Sequence, residues 1–184
     1  MSWMNAKSSR EQFFRLLDPA HGQRILDVGA GKGVVANRVM MVSGAELYAI
    51  DPDAKRIALV GQRYHEIKTR VAAAESIPFS DEFFDRVYTT MAVHHFADVE
   101  TALRESERVL RNGGLLVIID IDPRRARGRI LQFMEKVMRH HTRFRDLREI
   151  LEELSRVRNL RTIGSFRANY YYIIQCVKEP NPIS

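Results

Sequence analysis

Apolar and polar positions along this chain switch repeatedly between a helical and a strand-like period. Over residues 6–17, Phe13, Leu16 and Leu17 cluster on one helical face, and Asp18-Pro19 stops the run. Ile25, Leu26 and Val28 form a short continuous apolar run of buried-strand type. A helical pattern through Val34, Val35, Val39 and Met40 follows, with Gly44 as its stop. Residues 46–50 predict a second strand ending on Asp51, and Pro52 is placed in the first turn of a helix over 54–65. Strands three and four are expected over 71–74 and 84–90, with Ser80-Asp81-Glu82 as the polar turn between them. Asp98 predicts the cap of a helix through Leu103, Val109 and Leu110, which Asn112-Gly113-Gly114 ends. Residues 115–119 are apolar enough for a central parallel strand. Beyond an arginine-rich stretch, a helix over 146–157 and strands over 160–167 and 170–177 complete the pattern. Strands alternating with helices predict an α/β fold, a doubly wound and mainly parallel sheet with helices on both faces. Such sheets bind ligands beyond the carboxyl ends of their strands.

Composition adds bounds. The 184 residues read as a single domain over 1–179, with a helical flank at 1–22, an insert at 122–158 and a tail at 180–184. With 45% hydrophobic residues the chain can bury roughly 70% of its unfolded surface. The formal charge of +6 favours anionic partners only weakly and does not amount to a nucleic-acid footprint. A single cysteine, Cys176, excludes an internal disulfide framework and a multi-thiol metal site, and reads as a buried apolar residue. No run of 18 apolar residues and no apolar leader at Met1 indicates membrane spanning or export, so a cytoplasmic protein without a metal is expected.

The candidate chemistry lies at the strand tips. Gly29, Gly31 and Gly33 follow strand one, where the turn visits backbone angles that a Cβ forbids and where a nucleotide-like ligand can approach main-chain N–H groups. Asp51 ends strand two, 24 residues after Asp27. Its two oxygens suit the two hydroxyls of a ribose, and the alternative is that it only caps the next helix. Asp27 lies in an apolar strand end, where a carboxylate is costly unless backbone N–H groups or a cationic ligand satisfy it. Residues 31–36 also meet the dinucleotide fingerprint, which keeps a nicotinamide-dependent oxidoreductase open.

Six segments in order narrow this reading: Ile-Leu-Asp-Val-Gly-Ala-Gly-Lys-Gly (25–33), Tyr-Ala-Ile-Asp (48–51), Ala-Glu-Ser-Ile-Pro-Phe (74–79), Phe-Asp-Arg-Val-Tyr (84–88), His-His-Phe-Ala-Asp (94–98) and Leu-Arg-Asn-Gly-Gly-Leu-Leu-Val-Ile (110–118). Across residues 23–121 the chain resembles the class I S-adenosylmethionine-dependent methyltransferases, in particular the type 11 branch related to the ubiquinone/menaquinone methyltransferases. The resemblance implies a seven-stranded sheet whose last strand is antiparallel. It implies Asp27, Gly29, Ala30 and Gly31 around the methionine part of S-adenosylmethionine, and Asp51 on its ribose. Ala74 and Glu75 are then expected beside the adenine, and Thr90, Met91 and His95 at the reactive end. Position 73 is alanine where the family usually has an aspartate for the adenine amino group, so Pro52 and Ile77 are expected to hold the ring instead.

A methyltransferase turns its cofactor into S-adenosylhomocysteine, and His94 or His95 is the candidate base for a protonated acceptor. The alternative is that one histidine packs while the other orients the cofactor. Strand four ends Thr89-Thr90-Met91-Ala92, without the Asn/Asp-Pro-Pro-Tyr/Phe tetrad of amino-group methylases, and no Pro-Cys pair is present. A small-molecule acceptor is therefore expected. Arg124, Arg125, Arg127 and Arg129 are candidates for an anion-binding rim, and the absence of interleaved aromatic residues favours a small anion over RNA. The alternative for this stretch is an amphipathic helix packed on the sheet or on a second subunit of a homodimer. A cofactor-binding or interaction module without turnover is the non-enzymatic reading.

Overall fold

The computed structural model describes residues 7–124, 143–168 and 170–180. Its strands are β1 (Arg24–Val28), β2 (Glu46–Asp51), β3 (Lys68–Val71), β4 (Phe84–Thr90), β5 (Leu110–Ile121), β6 (Leu160–Ala168) and β7 (Tyr171–Lys178). The described helices are α1 (Lys7–Leu17), α2 (Val34–Ser43), α3 (Ala54–Arg63), α4 (Val99–Val109) and α5 (Leu147–Ser155), with a 3-10 turn at Val93–His95. The strands form one seven-stranded sheet in the order β3-β2-β1-β4-β5-β7-β6. β1 to β5 are mutually parallel, whereas β7 runs antiparallel to both β5 and β6. The expected doubly wound sheet with an antiparallel last strand is thus the observed one.

Successive residues of β1 enter opposite layers, which follows from the strand period of two. Leu26 and Val28 face a core completed by Val99 and Leu103 of α4 and by Ile150 and Leu154 of α5. Ile25 faces the other core, built with Phe13 and Leu17 of α1, Ala36 and Val39 of α2, and Ile57 and Val60 of α3. Covered on both sides, the central strands read as continuous apolar runs, and for that reason they were legible. α1 flanks the sheet: Arg86 Nε donates to the Leu17 carbonyl at 2.9 Å and Gln175 Nε2 to the Leu16 carbonyl at 2.7 Å.

Several boundaries differ from expectation. β3 occupies Lys68–Val71, not 71–74, because it pairs only with β2 and is mostly exposed, so its polar residues carry no burial signal. Pro52 lies outside α3, whose cap is Asp53, accepting N–H bonds from Lys55 and Arg56. That helix ends at Arg63. α4 stops at Val109 and the chain passes directly into β5, so Asn112-Gly113-Gly114 does not terminate the helix. These residues lie in an irregularity between the pairs Phe84↔Leu110 and Arg86↔Leu115. Among the described residues no helix is long and apolar enough to cross a membrane.

Arg108 fixes the segment between β3 and β4 that the site requires. Its guanidinium donates to the carbonyls of Ile77 and Phe79, each at 2.8 Å, and to the carboxylates of Glu105 and Asp81. Glu105 Oε2 in turn accepts the Ile77 N–H at 2.9 Å. Replacing Arg108 by Ala leaves the Phe79 carbonyl without a donor, the Ile77 carbonyl with the Phe79 N–H alone, and two carboxylates without their cation, and should lower stability by about 1–3 kcal/mol in urea unfolding. An unchanged urea midpoint would show that the segment does not depend on this hub.

Candidate functional site

The carboxyl ends of β1, β2 and β4 lie side by side, since Val28 is in register with Ile50 and Asp27 with Tyr88. From β1 the chain turns sharply. Gly29 has φ 76, and a Cβ there would lie 2.6 Å from the Ala92 Cβ after β4. Only glycine permits both the angle and the approach. Gly29 and Ala30 donate their N–H groups to the Ile50 carbonyl at 2.9 and 3.0 Å, which fastens the turn to the tip of β2. At Gly33, the residue before α2, a Cβ would meet Val60 at 2.7 Å. Gly31 differs: its φ is 54, and a Cβ would meet nothing within 4 Å. Its surroundings are open, so a ligand can come up against this part of the loop.

Asp51 is 5% exposed and already partly engaged. Oδ2 accepts the Gly31 N–H at 2.9 Å and Oδ1 the Asp53 N–H at 3.0 Å. A carboxylate has about four acceptor sites, so one remains on each oxygen. The cap of the following helix is Asp53, not Asp51. Pro52 is exposed beside it.

Asp27 is 1% exposed, and neither of its carboxylate oxygens has a hydrogen-bond partner. The hydroxyls of Tyr88 and Thr89 are likewise buried without partners. Burial lifts the Asp27 carboxyl to about 7, the Tyr88 hydroxyl opposes this by favouring the carboxylate, and the Asp51 charge adds to the rise. Phe13 of α1 packs edge-on against the Tyr88 ring at 5.5 Å, closing the side of the pair that faces that helix. Asp27 is therefore a buried acid that meets no cation among the described residues, and the Tyr88 hydroxyl beside it offsets only part of the cost of burial.

The turn after β4 carries Met91 at φ 55, its N–H bonded to the Ile119 carbonyl at 2.8 Å. A side chain held at this angle marks local strain, which tends to collect at functional sites. Thr90 is the last residue of β4. His94 is buried: Nδ1 lies 2.6 Å from Asp120 Oδ1, its backbone N–H donates to Asp120 Oδ2 at 2.9 Å, and its ring stacks on Phe144. His95 is exposed, its ring centroid 4.1 Å from that of His94. Ala73 is half-buried in the turn after β3, Ala74 is in the core, and Ile77 is buried. Glu75 Oε1 accepts N–H bonds from Ala97 and Asp98 at 2.7 and 3.2 Å, tying this turn to the start of α4.

Of the expected arginine rim the structure describes Arg124 alone. The guanidinium of Arg124 pairs with Asp146 at 2.5 Å, while Arg125, Arg127 and Arg129 lie outside the described residues. Sequence reasoning also passed over Asp120 and Asp122, has Tyr88 only as part of the motif at 84–88, and has Arg145 only as one basic residue of the arginine-rich stretch. Asp120 and Asp122 interrupt an apolar run just as Asp27 does, and that signal was available. The burial of Arg145 gave no signal, because a buried arginine looks like any other in a basic stretch.

Residues 26–118, about half of the chain, match the methyltransferase domain family Methyltransf_11. The chain is 32% identical over 117 residues to Methyltransferase GfsG of Streptomyces halstedii, covering 60% of this chain and 42% of that one. It is 31% identical over 115 residues to demethylmenaquinone methyltransferase of Chlorobaculum parvum, covering 62% and 46%. The matched region thus spans less than half the length of these two relatives. Among solved structures, geranyl diphosphate C-methyltransferase from Streptomyces coelicolor A3(2), in complex with Mg2+, geranyl diphosphate and S-adenosyl-L-homocysteine, superposes with a TM-score of 0.78 at 16% identity, over 95% of this chain and 80% of that one.

The raised Asp27 carboxyl has a measurable sign. The unfolded chain releases this proton near pH 4 and the folded chain near 7. The contribution of Asp27 to stability therefore falls as pH rises from about 4 to about 7, by up to about 4 kcal/mol, and is level above that. Urea unfolding of the ligand-free protein and of its Asp27→Asn variant should show the variant gaining on the wild type across this window. A difference independent of pH would contradict the unpartnered, proton-holding Asp27.

Proposed function

As the chain belongs to the methyltransferase domain family Methyltransf_11, we propose that it is an S-adenosylmethionine-dependent methyltransferase acting on a small-molecule acceptor. The observation that carries this reading is the pair of acids flanking the open loop at Gly31, Asp27 with no partner and Asp51 with half its acceptor capacity unused. An unpartnered buried carboxylate calls for a cation, and the methionine part of S-adenosylmethionine bears an ammonium group. The two remaining sites on Asp51 suit the two hydroxyls of a ribose. Gly31 lets the ligand approach without a side chain in the way, while Gly29 and Ala30 hold the loop against Ile50. Pro52 and Ile77 supply apolar contacts to the adenine, with Ala74 in the floor. Glu75 lies beside the adenine, its Oε1 holding the turn through Ala97 and Asp98.

When bound, the cofactor supplies an electrophilic methyl group on a sulfonium. The chain's task is then alignment and exclusion of water. Thr90, Met91 and His95 line the reactive end, and the strained backbone at Met91 sets the direction of that turn. His94 is clamped by Asp120 and Phe144, which suits it to orienting the turn. His95, exposed beside it, is the better candidate to take a proton from an acceptor. The end of β4 lacks the motif of amino-group methylases, which supports a small-molecule acceptor.

S-adenosylhomocysteine should raise the melting temperature of the chain while NAD does not. Calorimetry with Asp51→Ala should show S-adenosylhomocysteine binding weakened by roughly 2–4 kcal/mol, since the change removes a charged acceptor serving two hydroxyls. Equal stabilisation by NAD would overturn the cofactor assignment, and an unchanged dissociation constant would move ribose recognition away from Asp51.

A further inference from the structure

We propose that Arg145 anchors the acceptor by binding a carboxylate group on it, an inference that rests on the methyltransferase reading above. Arg145 is 9% exposed, and its guanidinium makes one long hydrogen bond, from Nη1 to the Arg143 carbonyl at 3.4 Å. Among the described residues it forms no ion pair. A guanidinium has five N–H donors, and burying a charge without a partner is costly, so an arginine left in this condition is matched to something not supplied by its own chain.

Its place in the chain puts it next to the proposed reactive end. The Arg143 N–H donates to the His94 carbonyl at 3.0 Å, and Phe144 stacks on the His94 ring at 4.6 Å. Arg145 thus follows directly after the segment that packs on the turn beyond β4. The acids around it are already occupied. Asp120 holds His94, Asp122 pairs with Arg167 at 3.3 Å, and Asp146 pairs with Arg124 and caps α5. Asp98 is held below the usual carboxylate range chiefly by its bonds from Thr101, and the Arg145 charge contributes least. On the β7 side, burial pushes the Tyr172 hydroxyl up, Asp120 adds to this, and Arg145 opposes it.

This charge pattern selects the class of anion. Arg124 and Arg167 are spent, and Arg145 is the cation that remains among three buried aspartates, Asp120, Asp122 and Asp146. Arg124 and Arg167 offset two of the three acids, so a dianionic phosphate meets more repulsion here than a singly charged carboxylate does. The planar fork of the guanidinium also matches a carboxylate through two parallel hydrogen bonds.

The test uses the full chain saturated with S-adenosylhomocysteine, with paired probes that differ only in charge: benzoate against benzamide and cinnamate against cinnamamide, with phenyl phosphate as the dianion. In the wild type each carboxylate should bind at least tenfold tighter than its amide and benzoate tighter than phenyl phosphate. In Arg145→Gln the carboxylate-to-amide ratio should fall close to one, with S-adenosylhomocysteine affinity unchanged, and Arg145→Lys should keep a preference of several-fold. If Arg145→Gln does not fold, the wild-type ratio and Arg145→Lys decide. A wild-type ratio near one, a ratio that survives in Arg145→Gln, or a preference for phenyl phosphate would overturn the proposal. A lowered melting temperature in Arg145→Gln with the ratio retained would make Arg145 a counter-charge for Asp120 only, and overturns it too. Failure of S-adenosylhomocysteine itself to bind would instead overturn the underlying methyltransferase reading.

Discussion

The contact between Gly29 and Ala92 governs the geometry of the whole site. With 2.6 Å between a notional Cβ at Gly29 and the Ala92 Cβ, the loop after β1 and the turn after β4 can meet only if one of them has no side chain. Their meeting ties β1 to β4 at the carboxyl ends of the strands, and the bonds from Gly29 and Ala30 to Ile50 tie β1 to β2. Three strand tips are then fixed relative to one another by backbone, before any functional side chain is considered. Gly31, one step further on, can stay open because the residues on either side of it are already fastened.

On this edge the protein treats its buried acids differently. Asp51 is half satisfied by N–H donors, Asp120 is committed to His94, and Asp122 is neutralised by Arg167. Asp27 alone among these has no donor in hydrogen-bond geometry, and burial, opposed only in part by the Tyr88 hydroxyl, holds its carboxyl near 7. A fold selected for stability alone would replace such a group by an apolar residue of similar volume. Retaining it concentrates an unmet electrostatic demand at the place where a cofactor is proposed to bind, as expected of perturbed groups at functional sites. Arg145 poses the same problem with the opposite sign on the other side of the turn at His94.

The fold was largely legible because its central strands are apolar on both faces and its helices carry strong stops and caps. Phe84–Thr90 was read to the residue, and Asp98 and Gly44 cap the elements expected of them. The misplaced edge strand Lys68–Val71 shows the limit: one-sided pairing leaves no hydrophobic pattern. At the site, Asp27 and Asp51 were readable as charges in or beside apolar strands, and the glycine spacing as backbone demands. What could not be read was pairing across the chain. Asp120 meets His94 across 26 positions, and Arg124 meets Asp146 through folding of the intervening segment, so which arginine would be spent and which left over is a property of the tertiary structure.

If Asp27 receives the ammonium of the proposed cofactor, it must become a carboxylate on binding. Proton release on binding reports this directly, by titrating S-adenosylhomocysteine calorimetrically at pH 6 and at pH 8.5 in buffers of different ionisation enthalpy. With the Asp27 carboxyl near 7, about one proton should leave per molecule bound at pH 6 and almost none from this group at pH 8.5. In Asp27→Asn the release at pH 6 should vanish. Binding at pH 6 without proton release in the wild type would contradict the central role given to this acid.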